Sequence, residues 1–177
     1  MFDTATNKDF ERNVSDPIQW MNMAIKHLHV AKHCGDEFFN QRKIRPKLTE
    51  DDLLKEMAFL ESKMIHLGFC VENAIKAAFI KLNPDKLSDT RIPIWGGGKG
   101  GHNLTGLLSE IDSELSDQYE DMLFRFETFI LWAGRYPTPV TVDKYLEAVK
   151  KKLISMTTSD VSRTEKLLQT LKNIIND

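Results

Sequence analysis

From Thr49 to Leu82 the chain runs without a proline, and its only glycine there is Gly68. Thr49-Glu50-Asp51-Asp52 opens the stretch as a helix start. Thr49 can cap free amides, three acids meet the positive end of the helix dipole, and Leu48 can staple onto Leu53. Asn83-Pro84 closes it. This predicts a helix of about thirty residues, long enough to span a domain and to dictate how everything else packs. Gly68 inside it is either a point of close helix–helix approach or neutral.

The rest of the chain repeats the helical pattern. Asp16-Pro17 reads as a cap followed by proline in the first turn, where its missing N–H is harmless. Ile18, Met21, Ile25, Leu28, Ala31 and Phe38 then share one face, to about Asn40. Asn103 is placed to cap a helix with Leu104, Leu107, Leu108 and Ile111 on one side. Ser116 reads as the start of a fourth helix, burying Tyr119, Met122, Leu123, Phe126, Ile130 and Ala133, with Gly134 as a left-handed cap. Thr141 starts a fifth with Val142, Tyr145, Leu146, Val149 and Leu153 inward, and after Ser159 a sixth carries Val161, Leu168, Leu171 and Ile175. No segment reads as a strand. The expectation is an all-α, up-and-down bundle of five to six helices over residues 16–177, behind a flexible segment 1–15.

Composition narrows the function classes. With 41% apolar and 28% charged residues the chain is balanced for a folded domain, and a net charge of −2 gives no global field for nucleic acid. Local cation clusters at Gln41–Lys47 and Lys150–Lys152 read as solvated faces or basic patches. No run nears the roughly 18 apolar residues of a membrane span, and Met1 to Asn13 has no apolar core for a secretory signal. Cys34 and Cys70 fall in helical patterns and read as small buried hydrophobes. The expected setting is cytoplasmic.

Three features bear on chemistry. Gly96-Gly97-Gly98-Lys99-Gly100-Gly101 lies in a loop from Asp85 to His102, directly before a helix start, where backbone amides and one ammonium can meet a phosphate. It is neither a P-loop, since Gly100 follows Lys99, nor a dinucleotide fingerprint, since no strand precedes it. His102 and Asn103 at the helix mouth read as an acid/base group beside an anion site or as a cap fixing the loop. Glu72 and Lys76 stand four apart, in the order that favours an ion pair, with a surface pair as the plainer reading. Arg135-Tyr136-Pro137 offers a guanidinium for an anion or for a carboxylate. His29 and His33 share a face but lack the further ligands of a zinc site, so neither metal nor cofactor is expected.

Taken together, these segments resemble the HEPN domains, nucleotide-associated bundles of four to six helices. Trp20-x3-Ala24-x3-Leu28-x2-Ala31 is similar to the family's opening, and Val71-Glu72-Asn73-Ala74-Ile75-Lys76-Ala77-Ala78 to its central segment. Gly101-His102-Asn103-Leu104-x2-Leu107-Leu108 resembles the element that starts its third helix, and Arg135-Tyr136-Pro137 a signature of one branch. The resemblance spans Asp16 to Val149. It implies a homodimer, and functions from RNA cleavage in toxin and defence systems to non-catalytic binding beside nucleotidyltransferases. The family's RNases place a histidine a few residues after an arginine. Here no histidine follows Arg135, and Arg91 is too far ahead of His102. The resemblance therefore implies a non-catalytic binding module, with Lys76, Lys99, Gly100, Gly101, His102, Asn103, Arg135 and Tyr136 toward nucleotide or RNA phosphate. A divergent RNase using His102 and Arg135, and an antitoxin-like or scaffold subunit, are the rival expectations.

Overall fold

The computed structural model describes residues 12–44, 49–86 and 101–177. Among them the regular structure is entirely helical. α1 spans Pro17–Ile44, α2 Glu50–Leu82, α3 Leu104–Ser109, α4 Ser113–Thr128, α5 Val142–Lys150 and α6 Asp160–Asn176. A short 3₁₀ turn, Pro84–Lys86, follows α2, and a π turn, Phe129–Ala133, prolongs α4. No helix among the described residues is long and apolar enough to cross a membrane.

The sequence signals at two starts act as expected. Asp16 Oδ1 accepts from Ile18 N at 2.8 Å. Thr49 and Asp52 form a reciprocal capping box, each side chain accepting from the other's backbone amide. The proposed Leu48 staple lies outside the described residues. α1 continues past Asn40 to Ile44, where Arg42 and Lys43 meet the negative end of its dipole. α4 begins three residues before the expected Ser116, because Asp112 accepts from Leu115 N at 2.9 Å and caps it there.

Side-chain contacts fix the topology. Trp20 meets Lys76, His27 meets His66, and Arg42 meets Glu56, so α1 and α2 run antiparallel along their whole length. α4 runs back along α2, with Phe126 and Ile130 over Gly68 and Gly134 beside Ile65. α6 is parallel to α2, with Lys81 Nζ donating to the carbonyl of Ile175 at 3.0 Å. α4 and α6 are clamped at their facing ends. The fully buried Asp160 accepts from Arg125 at 2.8 Å and 2.9 Å and from Thr157 Oγ1 at 2.6 Å, while Arg163 grips Asp121 at 2.6 Å. The core is the shared interior, built on Met64, Leu67, Ile75, Phe79, Leu107, Met122, Phe126 and Leu167.

Three expected packing details are corrected. Ile18, assigned to the inner face of α1, is exposed. Gly134 is not left-handed: its φ is −94°, because the π turn ends by donating Gly134 N–H to Phe129 O. A side chain is excluded there for steric reasons, since a Cβ would sit 2.5 Å from Ile65 Cδ1. The predicted inner face of α5 points outward. Val142 is 72% and Leu146 58% exposed, Tyr145 and Val149 are exposed too, and only Ala148 is buried.

Gly68 does mark a close approach. A Cβ added there would lie 2.6 Å from Ile130 Cδ1 and 2.8 Å from its Cγ1, in a site with no slack. Gly68→Ala is therefore expected to lower stability by about 1–3 kcal/mol, despite the better helix propensity of alanine. Adding Ile130→Val, which removes the colliding methyl, recovers part of the loss. Denaturant titration of the two single variants and the double variant checks this coupling.

His27 and His66 join α1 to α2 through an Nδ1···Nδ1 contact of 2.9 Å, their rings stacked 5.1 Å apart. One nitrogen must donate and the other accept, so the doubly charged pair loses the bond. Burial lowers the pKa of both; for His27 the charge of His66 lowers it further, against an opposing pull from Glu72. The unfolded chain then binds more protons than the fold as pH drops below the ordinary imidazole value of 6.5. This contribution to stability is complete above that pH and is lost on acidification. His66→Gln is expected to flatten the fall in melting temperature between about pH 7 and pH 5.

Candidate functional site

Three of the residues singled out in the sequence meet at one point of the bundle. Glu72, on the buried face of α2, places Oε1 2.6 Å from Lys76 Nζ and Oε2 2.7 Å from His102 Nδ1. The pair is not the surface ion pair of the plainer reading: the Glu72 and Lys76 side chains are 8% and 12% exposed. It sinks because α1 and the start of α3 close over that stretch of α2. Trp20 of α1 places its ring under the ammonium, 5.5 Å from Nζ to the ring centre, and is anchored by Nε1 donating to Val14 O at 2.9 Å.

Gly101 covers the cluster. It is buried with φ +85°, and a Cβ there would lie 3.7 Å from Lys76 Nζ. The left-handed backbone, open to glycine at no cost, turns the chain over the ammonium and directly into His102. A carboxylate oxygen accepts, so His102 Nδ1 carries the hydrogen toward Glu72, and Nε2 is left as the working nitrogen of a ring that is 32% exposed.

Asn103 caps α3 as the sequence suggested, Oδ1 accepting from Gly106 N at 3.2 Å. Glu127, buried in α4, also accepts from Thr105 N and Thr105 Oγ1, both at 3.0 Å. The amides of Thr105 and Gly106 are thus taken by the protein itself. Near this mouth the polar side chains available among the described residues are His102 and Lys76.

Arg135 and Tyr136 stand apart. Arg135 Nη2 donates to Leu131 O at 2.8 Å and its guanidinium lies 5.5 Å from the centre of the Tyr136 ring. Among the described residues no hydrogen bond, ion pair or ring contact links either to His102. The neighbouring Gly134 rests on Ile65, seven residues and about 10 Å along α2 from Glu72. Lys99 and Gly100 lie outside the described residues, as does most of the Gln41–Lys47 cluster.

The remaining candidates sort by environment. His29 and His33 are both exposed on α1. Among the described residues no three His, Cys, Asp or Glu side chains are grouped to hold a metal ion. Burial pushes the Cys70 thiol up to about 12 and raises Cys34 as well, which leaves both as inert packing groups. Sequence reasoning missed Trp20 beneath Lys76 and the α4 residue Glu127, which accepts from Thr105 at the start of α3. The spacing of Glu72 and Lys76 was a usable signal, but nothing local ties either to a histidine thirty residues away. In comparison with known proteins, the chain matches no family model, no curated protein and no solved structure.

Proposed function

We propose that this chain is a HEPN-like binding module whose His102 and Lys76 receive a phosphate group of a nucleotide or RNA. The observation that supports it most is the Glu72 carboxylate holding both cationic-type side chains at one spot beneath Gly101. Glu72 fixes their positions in advance, which lowers the ordering cost of binding. Each keeps capacity for a ligand: Lys76 has two further ammonium hydrogens, and His102 has Nε2, which donates to a phosphate oxygen when the ring is protonated. Trp20 adds an aromatic face beside the ammonium. Lys99 and Gly100, next along the chain, belong to the same proposed site.

A titration of ATP, AMP and a short single-stranded RNA, read by calorimetry, tests it. His102→Gln keeps the Glu72–Lys76 pair and is expected to weaken binding about tenfold or more, the worth of one charge-assisted hydrogen bond. Lys76→Met is expected to match or exceed that loss, with melting temperature followed because Glu72 then loses a partner. Absence of binding by wild type to every probe at millimolar concentration ends the proposal.

One observation favours a second reading, a divergent metal-independent RNase. A carboxylate on Nδ1 is how an imidazole is oriented for proton transfer at Nε2. No second cation of the cluster besides Lys76 faces His102 among the described residues, so binding ranks first. RNA left intact after prolonged incubation with concentrated protein separates the two.

We further propose that the chain forms a homodimer through the outward apolar face of α5, where Val142, Tyr145, Leu146 and Val149 lie exposed together. A nucleotidyltransferase or toxin-like partner is the other occupant of that face. Leu146→Asp is expected to shift a dimer to monomer in light scattering at micromolar concentration while the melting of the bundle is retained. A strictly monomeric wild type overturns it.

A further inference from the structure

A separate cavity of about 460 Å³ opens at the other end of the α1–α2 pair, where α6 begins. It lies roughly 22 Å along α1 from Trp20. Its floor is apolar, formed by Phe38, Leu60, Met156 and Val161, with Phe39 exposed at the rim. Its volume falls in the range of small-molecule sites.

Lys63 enters this cavity from α2 with only 7% of its surface exposed. Its stem crosses Gly35, whose missing side chain leaves Cδ 3.7 Å from the position a Cβ would take. No hydrogen bond or ion pair joins its ammonium to any of the described residues. The other two cations on the wall are already engaged. Lys32 is paired with Glu165 at 2.8 Å, and Arg42 donates to Glu56 at 3.2 Å while lying 4.8 Å from the centre of the Phe38 ring. Asp36, the one carboxylate on the wall, is exposed and makes no ion pair with Lys63. The stem is buried among these side chains, and the ammonium is left available to an anion that enters the cavity.

We propose that this cavity binds a small amphipathic monocarboxylate, its head on Lys63 and its hydrocarbon or aromatic body against Phe38, Phe39, Leu60, Met156 and Val161. A single carboxylate matches the single wall ammonium that has no ion pair with the described residues, whereas inorganic phosphate has no apolar body to cover the floor. The apolar floor supplies affinity in proportion to the surface it covers.

Calorimetric titration with decanoate, decanol and inorganic phosphate tests the site. Decanoate is expected to saturate one site per chain, decanol to bind about tenfold more weakly, and phosphate not to bind. Lys63→Met keeps the stem length and removes the charge. It is expected to weaken decanoate about tenfold or more, to leave decanol unchanged, and to melt no lower than wild type. Phe39→Ala, at the exposed rim, is expected to weaken decanoate and decanol alike. Failure of decanoate to bind, equal binding of decanoate and decanol, or undiminished decanoate binding by Lys63→Met overturns the proposal.

Discussion

Everything in this bundle is referenced to the unbroken 33-residue helix α2 and to how closely its neighbours approach it. The approach is set by small side chains. Gly68 admits Ile130, and Ala74, Ala77 and Ala78 are fully or almost fully buried further along. With the backbones this near, packing is dense and α4 has no freedom to slide on α2. The register of α4 in turn fixes where Glu127 meets Thr105, and so where α3 starts and where His102 is held. A core contact around Gly68 is thus the structural origin of the geometry at Glu72, one turn further along the same helix.

Three buried charges divide scaffold from site. Asp160 is fully enclosed and fully satisfied, by Arg125, by Thr157 and by its own place at the start of α6. Such a carboxylate has nothing to offer a ligand, and its work is to hold α6 on α4. Glu72 is also satisfied, but its partners are not exhausted, and one of them is partly open to solvent. The stem of Lys63 is buried, and its ammonium makes no ion pair with any of the described residues. Of these three, only Asp160 is a clamp with no hydrogen-bonding capacity left over.

The fold was legible in the sequence wherever the signal was local. The capping box at Thr49, the Asp16-Pro17 start and the Asn103 cap each involve partners within three residues, and each forms as read. The misreadings are tertiary. Gly134 looked like a left-handed cap, but the π turn before it changed the geometry and Ile65 supplied the reason for glycine. Periodicity in α5 correctly marked an amphipathic helix, yet it carries no information about whether the apolar face meets the same chain. At the site, Lys76, Gly101, His102 and Asn103 were all picked out, while the carboxylate that unites two of them was visible only as half of an ordinary i, i+4 pair.

That carboxylate also changes what kind of site this is. A glycine-rich segment leading into a helix suggests anion binding by free amides, which is indifferent to pH. Here the amides of Thr105 and Gly106 are taken by Glu127 and Asn103. Among the described residues an ammonium and an imidazole stand beside them, both leaning on Glu72. The arrangement depends on the integrity of one glutamate, which holds both side chains. It is also sensitive to the α1–α2 contact, since Trp20, which underlies Lys76, sits on the same helix as His27. Trp20 and His27, seven residues apart on α1, thus tie the surroundings of Lys76 to the α1–α2 contact.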